Sequence, residues 1–184
     1  MKTIYILLTR SGTLLSNVVH LLTRDTYTHA SISFDHELQP LYSSARKNGV
    51  TMFPAGPCRE YFHKGFYQKH ENIPCALYTL DVPDEVYQKA REEVWEIVSH
   101  GDDYHFNIFG LLLCRLNIPY KRDKKYFCSQ FVAEILNRSE AVDLPKAPSI
   151  MRPSDYTRLN PLQCVYRGTL KELVAQRTGS RHGA

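Results

Sequence analysis

Thr28-His29-Ala30-Ser31-Ile32-Ser33-Phe34 alternates polar and apolar side chains, the period-2 pattern of a half-buried β-strand. One face carries His29, Ser31 and Ser33, the other Ala30, Ile32 and Phe34. Asp35-His36-Glu37 follows as a turn with His36 and Glu37 in solvent, and Leu38 to Ser44 reads as the returning strand. A hairpin folded about His36 sets Ser43 opposite His29, and one folded between His36 and Glu37 sets Ser44 there instead.

Before this hairpin, Thr3 to Thr9 reads as a buried strand. Ser11-Gly12-Thr13 then opens a helix with Leu14, Leu15, Val18, Val19 and Leu22 on its apolar side and His20 on its polar side. After the hairpin, residues 46 to 72 are broken by Gly49, Pro54, Gly56, Pro57 and Gly65. They predict a long loop with room for short strands, the kind of segment that often lines a binding site. Cys75 to Val82 is a further strand. Pro83-Asp84 starts an amphipathic helix with Val86, Ala90, Val94 and Ile97 on one side, Trp95 in core or edge packing, and Gly101 past its end.

Phe106 to Leu116 reads as a buried helix, Tyr126 to Leu136 as another, and Pro161 to Gly168 as a last strand. Strands and helices mix without strict alternation, which predicts an α+β fold: a small antiparallel sheet packed against helices. Residues 1–176 form one domain, and 177–184 a disordered tail.

The 184 residues are 43% hydrophobic and 23% charged, the balance of a globular domain that buries enough apolar surface to fold without disulfides or metal. The net charge of +4 is too mild and scattered for the basic stripe of a nucleic-acid binder. No stretch approaches the length of a membrane span, and the apolar run Ile4 to Leu8 is too short for an export signal. A cytoplasmic chain is expected, and its five cysteines are expected as free thiols.

Among those cysteines, Cys128 stands near the start of an apolar helix, on the side of Phe131, Val132 and Ile135. Unpaired amides and the dipole at a helix N-terminus stabilise a thiolate and can hold an oxyanion. The alternative is a small buried hydrophobe. A thiol nucleophile needs an imidazole within reach and a third polar group to fix the ring. His29, on the polar face of its strand, can present its ring to a cleft, or can simply end the strand in water. Tyr42 and Tyr61 are candidates to line a substrate cleft with Phe62 and Tyr67; loop aromatics also serve as plain packing. Cys58, His63, His70 and Cys75 offer four N/S ligands, but at a spacing that matches no common zinc module. Neither metal nor cofactor is therefore expected. Cys114 and Cys164 read as core, and His105 as a residue at a helix start.

Thr28-His29-Ala30-Ser31-Ile32 early and Phe127-Cys128-Ser129-Gln130-Phe131-Val132 late resemble the circularly permuted branch of the NlpC/P60 papain-like superfamily. More narrowly they are similar to its YiiX/YebB-like cysteine hydrolases, and more remotely to the lecithin–retinol acyltransferase group. In the permuted members the histidine strand precedes the cysteine helix, as here. Ser11-Gly12-Thr13, Leu41-Tyr42-Ser43-Ser44, Tyr104 to Leu113 and Pro153-Ser154-Asp155-Tyr156 fall where such proteins have related segments, so the likeness spans roughly residues 3 to 168. The resemblance implies a papain-like fold, Cys128 as nucleophile and His29 as general base. Related enzymes usually place a His, Glu or Asn on the strand paired with the histidine strand. This chain instead offers Ser43 or Ser44, a backbone carbonyl or a water to orient the ring. The implied activity is cleavage of an amide or ester acyl bond in a small-molecule, peptide or lipid-like substrate. Acyl transfer by the same pair, or ligand binding on an inactive scaffold, are the alternatives.

Overall fold

The computed structural model describes residues 1–10, 25–46 and 55–179; the helix expected from Ser11 onward, with His20, lies outside them. Six strands form one antiparallel sheet in the order β4-β3-β2-β1-β5-β8. In chain order they are β1 (Lys2–Thr9), β2 (His29–Ser33), β3 (Leu41–Arg46), β4 (Ala55–Glu60), β5 (Pro74–Val82) and β8 (Gln163–Thr169). A short parallel pair, β6 (His105–Phe106) and β7 (Lys125–Tyr126), stands apart. The helices are α1 (Gly65–Lys69), α2 (Asp84–Ser99), α3 (Ile108–Arg115), α4 (Cys128–Arg138) and α5 (Leu170–Gly179). The α+β sheet-and-helix architecture read from the sequence is thus present.

β1 lies mid-sheet, pairing Tyr5 to Thr9 with Ser33 to His29 on one side and Lys2 to Thr9 with Val82 to Cys75 on the other. Its side chains are buried on both faces, which is why it reads as a near-continuous apolar run. Ile4, Ile6 and Leu8 join Ala30, Ile32 and Tyr78 under α2 and α4. Leu7, on the opposite face, packs with Leu38, Leu41, Tyr67, Leu77, Leu170 and Leu173. In α4 the fully buried Phe131, Val132, Ile135 and Leu136 each contribute about 1.5–3 kcal/mol of gross burial, which pins the N-terminal end of this helix against β2 and β3.

Several expectations are corrected. The β2–β3 register pairs Ile32 with Tyr42, so the hairpin folds about Glu37, and carrying the register on sets Ser43 opposite Ser31 and Ala45 opposite His29. Leu38 causes the displacement: it is fully buried, takes φ 60° and donates its N–H to the Asp35 carbonyl, so the returning strand restarts only at Leu41. Residues 55–60 supply one of the short strands for which the expected loop left room, at the sheet edge, where Pro57 costs no ladder bond that a central strand would need. α3 buries only Gly110 and Cys114, because a helix that is apolar all round gives no periodicity to tell its faces apart. Cys164 is exposed on edge strand β8, and His105 lies in β6. Arg177 to Gly179 belong to α5 instead of a tail, since Leu170 and Leu173 are buried and Arg177 lies over the Tyr5 ring. Residues 180–184 lie outside the described residues.

Candidate active site

Cys128 is the first residue of α4, and the chain leading to it is held from several directions. Ser44 donates its hydroxyl to the Tyr126 carbonyl at 2.6 Å. Asn107 N–H donates to the same carbonyl at 3.1 Å. The Tyr104 and Tyr126 rings stack at 5.9 Å, and β4 passes so close that a Cβ on Gly56 would sit 2.7 Å from the Tyr104 carbonyl oxygen. Behind Cys128, Ser129 Oγ donates to the Met151 carbonyl at 2.8 Å and Tyr156 donates its hydroxyl to the Ser129 carbonyl at 2.7 Å. These bonds fix the first turn of α4, and with it the positions of the Cys128 thiol and the Ser129 amide.

His29 begins β2 beside Thr9, the last residue of β1. Its Nε2 lies 3.0 Å from Oε2 of Glu60, and its ring and the Cys128 thiol interact electrostatically, while the thiol's own hydrogen bond goes to the Thr28 carbonyl at 3.9 Å. Glu60 ends β4. The same Oε2 accepts the hydroxyls of Ser43 at 2.5 Å and Ser31 at 3.2 Å, and the Ser31 hydroxyl also lies 3.4 Å from that of Tyr67 on α1. The site therefore contains a buried relay of thiol, imidazole and carboxylate with two serines behind it. It remains reachable: Cys128 is 9% exposed and the His29 and Glu60 side chains 15% and 14%.

The electrostatics reinforce one another. Burial lowers the basicity of His29, but the Glu60 charge and the interactions with Cys128 and Glu60 outweigh it and raise its pKa well above 6.5. Burial raises Glu60, yet the His29 charge and the bonds from His29, Ser43 and Ser31 hold it below 4.5. Burial also opposes ionisation of Cys128. Interaction with the His29 ring and its charge, with backbone bonds from Ala30 and Ser129, brings it below 9.0 nonetheless. All three shifts favour thiolate, imidazolium and carboxylate together. Elsewhere burial pushes the Cys75 thiol up to about 12 and raises Cys114 as well. None of the five cysteines is in a disulfide.

The structure thus brings together Cys128, His29 and Ser43, and separates the other predicted site residues from them. Ser43 touches the carboxylate that holds the ring, where the sequence reading had it touch the ring itself. Ser44 turns the other way and holds the backbone two residues before Cys128. Tyr42, on the helix side of β3, lines a groove of about 300 Å³ with Phe34, Val94 and Trp95, and none of the groove's lining residues belongs to the Cys128 group. Tyr61 packs by its ring against His63 at 5.5 Å. Of the supposed metal ligands, His70 stacks on Phe66 at 4.4 Å and Cys75 is buried in β5. No group of three metal-ligating side chains gathers among the described residues.

Glu60 is the member of the Cys128 cluster that sequence reasoning missed. One signal was available: it is the only acidic residue between Glu37 and Glu71, in a segment already marked as site-forming. No family model matches the chain, and comparison with curated proteins found no match.

Proposed function

We propose that this protein is a papain-like cysteine hydrolase of the permuted NlpC/P60 type, cleaving an amide or ester acyl bond with Cys128 as nucleophile, His29 as acid–base and Glu60 as the residue that orients and charges the ring. The observation that carries this reading is the convergence of His29 Nε2, Ser43 Oγ and Ser31 Oγ on one carboxylate oxygen. A solvent-facing strand end has no use for such an arrangement, whereas an imidazolium beside a thiolate does.

The Cys128 sulfur attacks the acyl carbon and forms a C–S bond, and the carbonyl oxygen takes the negative charge near the Ser129 N–H at the helix start. Collapse of this intermediate breaks the bond to the leaving group, which takes a proton from the His29 imidazolium. Water then attacks the thioester, His29 accepts its proton, and the carboxylic acid product departs as the thiolate is restored. Throughout, Glu60 stays ionised, holds the tautomer and stabilises the imidazolium. No cofactor is needed for either half-reaction.

Iodoacetamide labelling across pH, read peptide by peptide by mass spectrometry, tests this without a known substrate. Cys128 should react rapidly below pH ~7 and lose that reactivity in His29→Ala, with exposed Cys164 as the reference thiol and Cys75 inert. A Cys128 that titrates near pH ~8.5 in both proteins, as an ordinary thiol does, would refute the proposal.

A further inference from the structure

Ile108, Phe109, Leu112 and Leu116 are 41%, 52%, 56% and 67% exposed. At about 100° per residue these positions fall within one arc of about 100° on α3 and its C-cap, while Gly110 and Cys114 on the opposite side are buried. The helix is closed by Asn117 at φ 58°. Ile118 N–H donates to Leu113 O and Asn117 N–H to Cys114 O, a Schellman closure that turns Ile118, 47% exposed, back beside the last turn. The Tyr120 ring meets Phe109 edge-on at 5.3 Å, which extends the patch into the following loop. No described residue covers it. Such a contiguous apolar surface marks an interaction site.

Its surroundings are cationic. Arg115, Lys121, Arg122, Lys124 and Lys125 against Asp123 alone give residues 108–125 a formal charge of +4, equal to that of the whole chain. Lys121 reaches Glu134 and Lys124 reaches Asp103, each at 3.3 Å, but both lysine side chains stay more than half exposed, and Arg115 and Arg122 are exposed too.

We infer that α3 and the loop after it form a docking surface for an anionic membrane, on which α3 lies in the plane of the interface. An aliphatic and aromatic arc rimmed by arginine and lysine is the composition that such a surface takes up. A second copy of the chain fits less well, because a two-fold contact through this face would bring the two cationic rims together. No helix among the described residues is long and apolar enough to cross a membrane, and none is required. α3 is also tied to the candidate site: its N-cap Asn107 donates to Gln130 of α4 at 3.2 Å, and Cys114 packs in one cluster with Phe127. The docking surface stands on its own observations and does not depend on the catalytic proposal.

Co-sedimentation with phosphatidylcholine vesicles, with and without about 30% phosphatidylserine, tests it. Wild type should pellet with the anionic vesicles, at least about tenfold more than Phe109→Ser/Leu112→Ser and more than with neutral vesicles. Arg115→Gln/Arg122→Gln changes only exposed charges. It should weaken binding by about fivefold per cation removed, which keeps the test decisive if the apolar variant folds poorly. No binding by wild type, equal binding to neutral vesicles, or unchanged binding by both variants overturns the inference. A wild-type dimer in light scattering that the apolar variant abolishes, without vesicle binding, would assign the face to a second copy instead.

Discussion

Replacing Glu60 by Gln keeps the size of the side chain and its capacity to accept from Ser43 and Ser31, and removes only its charge. The consequence for His29 follows from the geometry. Unit charges across the 3.0 Å contact attract by roughly 5 kcal/mol at an effective dielectric of about 20. Burial of both groups offsets much of this, and an opposite charge at such range moves a pKa by about 1–3 units, or roughly 1.4–4 kcal/mol. The imidazolium loses that support in Glu60→Gln, and the thiolate that the imidazolium stabilises becomes harder to form. Iodoacetamide labelling of Cys128 at pH ~6 should therefore fall about tenfold or more. At alkaline pH the two rates should converge, since the thiolate there needs no cation. Superimposable pH profiles for wild type and Glu60→Gln would show that the carboxylate does not act on the pair, and the relay would lose its third member.

Ser43→Ala removes one hydrogen bond to the charged carboxylate, an interaction of about 1.5–3 kcal/mol. It should shift the acid limb of Cys128 labelling in the same direction as Glu60→Gln but by less, with Ser43→Thr restoring it; an unshifted limb would make Ser43 mere packing. Gly56→Ala should destabilise the protein by about 1–3 kcal/mol in urea titration, because its Cβ would meet the Tyr104 carbonyl oxygen at 2.7 Å, and wild-type stability would contradict the close approach. The ion pair should also show in the pH dependence of stability. The raised His29 contributes stability fully below about pH 6.5 that is lost as pH rises through its folded pKa. The lowered Glu60 contributes above about pH 4.5, and that contribution is lost as pH falls through its own. The stability gap between wild type and His29→Ala should thus be widest between these values, and a gap that widens steadily above pH 6.5 would contradict the assignment.

What could be read from the sequence was whatever short-range periodicity controls. The alternation of Thr28 to Phe34 places His29, Ser31 and Ser33 on one face, and the position of Cys128 ahead of an apolar helical run places it at a helix start. Both follow from side chains a few residues apart. Glu60 could not be found that way. It lies in a strand containing Gly56 and Pro57, residues that signal a break, and β4 tolerates them only because it is an edge. It meets His29 through β3, so locating it requires the strand order and the β2–β3 register together. That register was displaced by a single buried side chain, Leu38, inside a turn that otherwise looks polar. The exposed face of α3 was hidden for the opposite reason: Phe106 to Leu116 is so uniformly apolar that no period distinguishes the side facing Phe127 from the side facing outward.

The central place of β1 bears on the order in which the molecule assembles during synthesis. Although β1 is made before the other strands of this sheet, it is one of the last to have both edges satisfied: it can pair with β2 once residue 33 has left the ribosome, but its other edge stays open until Pro74 to Val82 follow. Until then a strand of consecutive buried apolar side chains carries an unpaired edge, the state most prone to join a neighbouring chain. The thiol that would do the chemistry emerges later still, after the five strands β1 to β5 that surround its histidine have been made. Cys128 would then meet His29 as a docking of α4 onto five paired strands, with β8 still to come, so a chain stalled before residue 128 would have a histidine and a carboxylate in place and nothing for them to activate.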